Sequence, residues 1–324
     1  MIITRAPYRV SMFGGGTDHP KWFNDNGGAV VSFSINKYCY ITLRELPPFF
    51  PHKFRVVYSK VETTNTVNQI LHPAVKKAFV KYADKLNLEL HHHGDLPAQS
   101  GVGSSSAFAV SLIKSLHAIN GGDIDNYDLA QEAIVFEQVD LLETVGSQDQ
   151  IACAIGGINH IEFGPNNLWK LRKINLDVKV IHDIESRIVL IYSGISRYSS
   201  DISKGLLENI NSKSKLMNRT RDLAQDFHKL LNQNGDLDIV SEMLEESWTI
   251  KKQMNPDSVT PEIENFYELA LTKGAKAGKV LGAGGGGFFL FWVDPNTRES
   301  FIEKMKPYLY VPISISFDGC TRIL

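Results

Sequence analysis

The sequence predicts an α+β protein of two domains, and three observations carry that expectation. The first third is dominated by segments rich in Val, Ile, Tyr and Phe, broken by Gly, Asn and Pro, the pattern of strands and their turns. Beyond Asp201 the pattern changes to long stretches with apolar residues at helical spacing. A chain of 324 residues also suits about two domains at roughly 150 residues each. We place the boundary at 186, giving a strand-led domain over 1–186 and a second domain over 187–324 that carries a helical insert.

In order along the chain, strands are expected around 2–12, 28–44 and 53–61. A helix is expected over 69–86, where Ile70, Leu71, Ala74, Val75, Ala78 and Phe79 recur at helical spacing. LELHHHG (88–94) alternates like a strand. His91 and His93 then share a face, but no third ligand stands at a plausible spacing, so an edge strand is expected rather than a metal site. Helices follow near 105–119 and 126–143, then a strand-rich stretch to about 192. The second half predicts helices near 202–232, 236–254 and 261–273, the last with Thr260 as cap and Pro261 at its first position. Strand, glycine turn and strand cover 279–293. A helix opened by Asp294–Pro295 follows, and then a final strand with Val311, Ile313, Ile315 and Phe317 on one face. The helices of 202–254 suit a lid or an interface equally, and the pattern leaves open whether the chain forms a homo-oligomer.

Composition narrows the function class. Apolar content of 43%, charged content of 22% and a net charge of −2 describe an ordinary globular chain, with nothing that favours nucleic acid as partner. The apolar run Phe288–Val293 is too short to span a bilayer, which takes about 20 residues, so no membrane is expected. MIITRAPYRV carries arginine and proline where a signal peptide needs its apolar run. Cys39, Cys153 and Cys320 stand far apart without CxxC spacing, as buried thiols in a reducing compartment do. The expectation is a cytoplasmic protein.

Three glycine-rich segments carry the chemistry. In DLPAQSGVGSSSAFAVSL (95–112), Gly101 and Gly103 permit backbone angles that aim successive amides into one concavity. Ser104, Ser105 and Ser106 then fall at a helix start, where free amides and the dipole favour an anion. One serine would be a cap; three serines with two glycines exceed what a cap needs and point to phosphate. GxxxxGK[ST] is absent, so this is not a Walker A loop. KVLGAGGGGFFLFW (279–292) contains a formal GxGxxG, but a strand-like segment follows it and no acidic residue stands at the expected distance, which excludes a dinucleotide site. A tight hairpin needs two residues, not five small ones, so another backbone or a ligand should approach closely there. In RAPYRVSMFGGGTDHP (5–20), Asp18 either caps a following helix or offers a carboxylate to sugar hydroxyls beside exposed glycine backbone.

Together, in this order and spacing, these segments resemble the galactokinase–homoserine kinase–mevalonate kinase–phosphomevalonate kinase (GHMP) superfamily. The family's Pro-x-x-x-Gly-Leu-Gly-Ser-Ser-Ala appears as PAQSGVGSSSA (97–107), and the last motif as GAGGGGFF. APYRVSMFGGGTD is similar to the galactokinase APGRVNLIGEHTD. Gly-Gly-Gly-Thr-Asp followed by SGVGSSSA and GSQDQ is, within the superfamily, most similar to the D-glycero-D-manno-heptose 7-phosphate kinases. The resemblance implies a two-domain GHMP fold, with a left-handed βαβ crossover in the N-terminal domain and a ferredoxin-like C-terminal domain. It implies ATP-dependent phosphorylation of the anomeric hydroxyl of a sugar phosphate, with a fucokinase-like acceptor as the alternative. A non-enzymatic binding protein on the same fold would be expected to lack Asp149, Glu137 or Ser105, and all three are present.

The same resemblance assigns residues. ATP would be held by Pro97, Ser100, Gly101, Val102, Gly103, Ser104, Ser105 and Ser106, and Mg²⁺ by Ser105 and Glu137. Asp149, in VGSQDQ (145–150), would be the catalytic carboxylate and Arg9 the cation beside it. By themselves Glu137, Asp149 and Arg9 read as a solvated helix charge, a polar turn and a surface ion pair. Gly14, Gly15, Gly16, Thr17 and Asp18, with Gly284, Gly285 and Gly286, would meet the sugar. Arg197, in YSGISRYSS (192–200), either binds the acceptor's phosphate or faces solvent. Two departures stand out. Gly15–Gly16 replaces the galactokinases' Glu-His and leaves a roomier acceptor pocket, and Gly146–Ser147 replaces Ser-Gly ahead of Asp149.

Overall fold

A computed structural model of the chain describes residues 1–195, 210–282, 284 and 286–324. Its first half is strand-led, with β1 (Ile2–Phe13), α1 (Pro20–Asn26), β2 (Gly28–Glu45), β3 (Phe54–Val57), β4 (Val61–Thr64), α2 (Pro73–Tyr82) and β5 (Leu88–Gly94). Next come α3 (Ser104–Ile119), α4 (Asn126–Val135), α5 (Gln148–Ile155), β6 (Ile158–Gly164), β7 (Leu168–Lys173), α6 (Val178–Arg187) and β8 (Ile188–Tyr192). The remainder holds α7 (Ser214–Asn232), α8 (Val240–Met254), α9 (Pro261–Lys273), β9 (Ala275–Val280), β10 (Phe288–Val293), α10 (Arg298–Lys304), β11 (Leu309–Val311) and β12 (Thr321–Arg322).

Two sheets result among the described residues. The eight-stranded one runs β12-β1-β2-β5-β3-β4, with β6 joining β2 and β7 joining β6. β2 is 18 residues long and forks, because its first part pairs with β6 and its last part with β5. Opposite β2, the register of β1 jumps between Pro7 and Arg9 and again between Ser11 and Phe13. Such irregularities re-aim side chains next to a site, and Arg9 and Ser11 both point into the cavity described below. The second sheet is antiparallel with order β11-β8-β10-β9.

β10 explains its own apolar run. Phe288, Leu290 and Trp292 pack into the core shared with the large sheet, while Phe289, Phe291 and Val293 face a second cluster with Trp248, Phe266 and Phe301. A strand covered on both faces has no polar side to show. No helix among the described residues is long and apolar enough to cross a membrane.

Local signals and tertiary context each decide some elements. Pro73 starts α2 and Pro261 starts α9, where the Thr260 hydroxyl accepts from the Ile263 amide. The helix expected over 126–143 stops at Val135 and passes into a π-helical turn over Phe136–Asp140, closed by the Leu141 amide on the Phe136 carbonyl at 2.9 Å. The stretch expected to be strand-rich to 192 instead contains α5 and α6. β5 lies between β2 and β3 over Leu88–His91, so it is not an edge there, and His91 bonds the buried Glu89 at 2.8 Å. The final strand also fails as drawn. β11 ends at Val311, Ser316 is buried and Phe317 is exposed. The tail turns because Gly157 donates to the Ser316 carbonyl and Cys320 to the Ala154 carbonyl, which leads Thr321–Arg322 onto β1.

The glycine-rich turn between β9 and β10 (281–287) lies against the backbone of the segment leading into α3. The Phe288 amide donates to the Ser100 carbonyl at 3.0 Å. A Cβ on Gly282 would fall 2.6 Å from Cα of Gly101, and one on Gly287 would fall 2.5 Å from the Ser100 carbonyl oxygen. Gly287→Ala, at φ +86°, is therefore expected to lose about 1–3 kcal/mol of stability in chemical denaturation. Wild-type stability in that variant would contradict the close approach.

Candidate functional site

The segment 97–107 forms an open anion cradle. Gln99, Gly101 and Gly103 take φ of +58°, +85° and +76°, so alternate residues turn left-handed and successive amides face one side. Gly103, not a serine, caps α3, and no side chain bonds the cap. The first helical bond runs from Ala107 to Gly103, which leaves the amides of Ser104, Ser105 and Ser106 without an intrahelical acceptor. The serine hydroxyls are occupied elsewhere. Ser104 Oγ accepts from the Gln99 amide, and Ser105 and Ser106 donate to Glu137 at 3.2 and 2.7 Å.

Asp149 stands in the first turn of α5 and meets Arg9 from β1. Arg9 donates through Nε to Oδ1 at 2.8 Å and through Nη2 to Oδ2 at 2.6 Å, and its Nη1 donates to the Gly101 carbonyl at 2.6 Å. The guanidinium is 4% exposed and the carboxylate 25%, so the acid keeps a face toward the cavity. Burial opposes the Arg9 charge, yet Asp149 outweighs burial and raises the Arg9 pKa.

One cavity joins these groups. Its wall includes Arg9, Asp149, Gly101, Gly103 and Ser104–Ser106, then Gly14–Gly16 and Asp18, and from the other half Lys251 and Lys279. Asp18 is not the cap of α1, whose flanking residue is His19. Its carboxylate accepts from the amides of Gly16 at 2.8 Å and Gln148 at 3.2 Å, binding the glycine loop to the start of α5. A Cβ at position 146 would lie 1.9 Å from Asp18 Oδ2. That contact is the physical reason for the Gly146–Ser147 order.

Several sequence-predicted residues lie off the cavity. Thr17 is fully buried, its hydroxyl bonded to the carbonyls of Gly14 and Ala29, so it shapes the loop and meets no sugar. Ser100 donates to the Pro97 carbonyl and accepts Phe288, and Val102 is core. These three hold the cradle's shape from behind. Neither Gly284 nor Gly286 lines the cavity: a Cβ on Gly286 would fall 2.3 Å from the Ile195 carbonyl oxygen, while one on Gly284 would meet Ser258 at 3.1 Å and Lys251 at 3.4 Å, so Gly284 backs two residues of the wall. Arg197 and Gly285 lie outside the described residues.

Glu137, turned inward by the π-helical turn, also accepts a bond from Gln150 Nε2. It is 1% exposed, and burial pushes its carboxyl up to about 7. No lysine or arginine among the described residues pairs with it. A buried carboxyl without a cation, beside a serine hydroxyl at the mouth of a phosphate cradle, is a hard-oxygen donor set that fits Mg²⁺.

The sequence reading missed two residues. Lys251 Nζ donates to the carbonyls of Val280 and Gly282 at 3.1 and 2.7 Å, and Lys279 Nζ donates to that of Met12 at 3.0 Å. Burial, and then the Arg9 charge, lower Lys279 to about 8. Burial, Lys279 and Arg9 together hold Lys251 well below the usual lysine range. A signal existed for Lys251, which follows Leu244 and Trp248 and precedes Met254 on the inward stripe of α8.

Comparison with known proteins adds to this geometry. The model for the GHMP kinases N terminal domain matches residues 66–157, and that for the GHMP kinases C terminal matches 224–311. The chain is 28% identical to the D-glycero-alpha-D-manno-heptose 7-phosphate kinase of Campylobacter jejuni, over 94% of this chain and 93% of that one. It is 24% identical to the bifunctional fucokinase/GDP-fucose pyrophosphorylase of Arabidopsis thaliana, over 88% of this chain and 29% of that one. A solved D-glycero-D-manno-heptose 1-phosphate kinase from Bacteroides thetaiotaomicron superposes with TM-score 0.82 at 23% identity, covering 100% of this chain and 99% of its own.

Glu137 provides a pH test. Because folding raises its pKa, the stability attached to its protonated form is full below about pH 4.5 and is lost as pH rises through about 7. Glu137→Gln lacks that loss. In metal-free denaturation the variant is expected to gain on the wild type from about pH 5 to about pH 8, by up to about 3 kcal/mol. A gap that does not change with pH would contradict the buried, unpaired carboxyl.

Proposed function

We take as premise that the chain belongs to the GHMP kinases and is a sugar kinase of that family, and we propose that it phosphorylates the anomeric hydroxyl of D-glycero-D-manno-heptose 7-phosphate. The donor is ATP and the product the 1,7-bisphosphate. One observation carries the chemistry: Asp149 and the open amides of α3 face one cavity, and Arg9 ties the carboxylate to the cradle at Gly101.

In this reading, the amides from Gly101 to Ser106 hold the nucleotide phosphates, and the positive end of α3 favours their charge. Asp149 accepts two bonds from Arg9 and retains further lone pairs. With these it orients the acceptor hydroxyl and takes its proton while the new oxygen–phosphorus bond forms and the bond to ADP breaks. Arg9 fixes the plane of the carboxylate and balances charge around the transferring group. Gly14–Gly16 and Asp18 shape the acceptor side. Ser105 and Glu137 would hold Mg²⁺, which supplies neutralisation of phosphate charge when bound.

The heptose assignment draws on the full-length likeness to the Campylobacter jejuni enzyme and on the room left by Gly15–Gly16. A fucokinase-like acceptor is the second reading, favoured by the likeness to the Arabidopsis thaliana protein. The proposal keeps the division at 186, supported by the large sheet drawing on residues 2–173, with only Thr321–Arg322 added from beyond the division, and by the small one beginning at Ile188. With Cys39, Cys153 and Cys320 free and buried, it places the protein in a reducing cytoplasm.

Asp149→Asn is expected to leave affinity for an ATP analogue within a few-fold while turnover falls by about 10²-fold or more. Near-normal turnover would remove Asp149 from its role. ADP release should be measured with the heptose 7-phosphate, the free heptose and L-fucose. Turnover on the unphosphorylated sugars alone would replace the acceptor and leave the kinase standing.

A further inference from the structure

Lys251 and Lys279 enter the cavity from α8 and β9, and the chemistry above uses neither. An ammonium taken out of water is costly unless it is paired. Here two of them, from separate elements, stand within electrostatic reach of each other and of Arg9. Their acceptors are main-chain carbonyls alone, and no carboxylate among the described residues lies within ion-pairing distance of either. The two acids on the same wall are already engaged, Asp149 by Arg9 and Asp18 by two amides.

Such a cluster is completed by an anion, and its position says which one. The nucleotide phosphates have their donors in the amides of the cradle. Lys279 instead reaches the carbonyl of Met12, two residues before the glycine loop that shapes the acceptor side. Around that loop stand two further unmet groups, the Ser11 hydroxyl and Gln148 Oε1, both buried without a partner. A Cβ on Gly15 would lie 3.2 Å from Ser11 Oγ and 3.5 Å from Gln148 Nε2, so these side chains flank the loop where it opens to the cavity.

We propose that Lys279, with Lys251 beside it, binds the phosphate that the acceptor itself carries. The inference rests on the kinase reading and deepens it. A bound dianion favours the charged form of both amino groups, and their lowering in the free protein is what a site awaiting that anion would show. A free sugar would leave both lysines facing carbonyls.

The test is equilibrium binding to wild type, Lys279→Met and Lys251→Met, with three probes: the heptose 7-phosphate, the same heptose without its phosphate, and a non-hydrolysable ATP analogue. Inorganic phosphate serves as competitor. Lys279→Met is expected to weaken the sugar phosphate about tenfold or more, as loss of a charged hydrogen bond does. The free heptose and the ATP analogue should stay within about twofold. In turnover, KM for the sugar phosphate rises while kcat is largely kept, and Lys279→Arg recovers part of the loss. On wild type, inorganic phosphate should compete with the sugar phosphate and not with the ATP analogue.

A loss confined to the ATP analogue would assign the lysines to the nucleotide and overturn the proposal, as would unchanged binding of all three probes. If Lys279→Met does not fold, Lys251→Met and the phosphate competition on wild type decide the matter. Failure of the kinase reading looks different, because wild type would then bind no ATP analogue at all.

Discussion

The site depends on one crossing of two backbones at Gly101. A Cβ there would fall 2.5 Å from the Leu281 carbonyl oxygen, so the glycine turn of one half sits directly on the phosphate cradle of the other. The carbonyl of Gly101 receives Arg9, and Arg9 grips both oxygens of Asp149. One main-chain contact thus sets the distance from cradle to carboxylate. Side chains at these glycines would separate the halves, and the chemistry would lose its register before it lost any reacting group.

Charge in the cavity is distributed with similar economy. The N-terminal half contributes helix amides and the Arg9–Asp149 pair. The C-terminal half contributes two ammonium groups held by carbonyls. Every acid on the wall has a donor, whereas the cations from α8 and β9 have no acid. Phosphates are the natural complement of that imbalance, because each brings several acceptor oxygens and a charge that main-chain carbonyls cannot supply.

Much of this was legible in the sequence, and the rest was hidden for definite reasons. The cradle could be read because glycine and serine each carry a local conformational meaning, and Thr260–Pro261 marks a helix start by the same local rules. Thr17 could not be told from a ligand residue, since its partners, the carbonyls of Gly14 and Ala29, are set by the pairing of distant strands. Of the two readings of Asp18, the cap of the following helix fails for the same reason. Asp18 caps a helix that begins 130 residues later, not the one that follows it. The π-helical turn at Glu137 leaves no periodic trace, because one extra residue in a turn does not alter an apolar pattern visibly. Lys279 was overlooked because a lysine beside a glycine run reads as solvent-facing, while β9 buries both of its faces there.

The closing segment has a consequence for how the chain matures. Thr321 and Arg322 complete the large sheet by pairing with Arg5 and Thr4, and Ser316 is anchored to Ser34. During synthesis the amino-terminal half emerges first, yet this margin of its sheet stays bare until Thr321 and Arg322 have left the ribosome. The two halves are made one after the other but do not close one after the other. The second must be finished for the first to close.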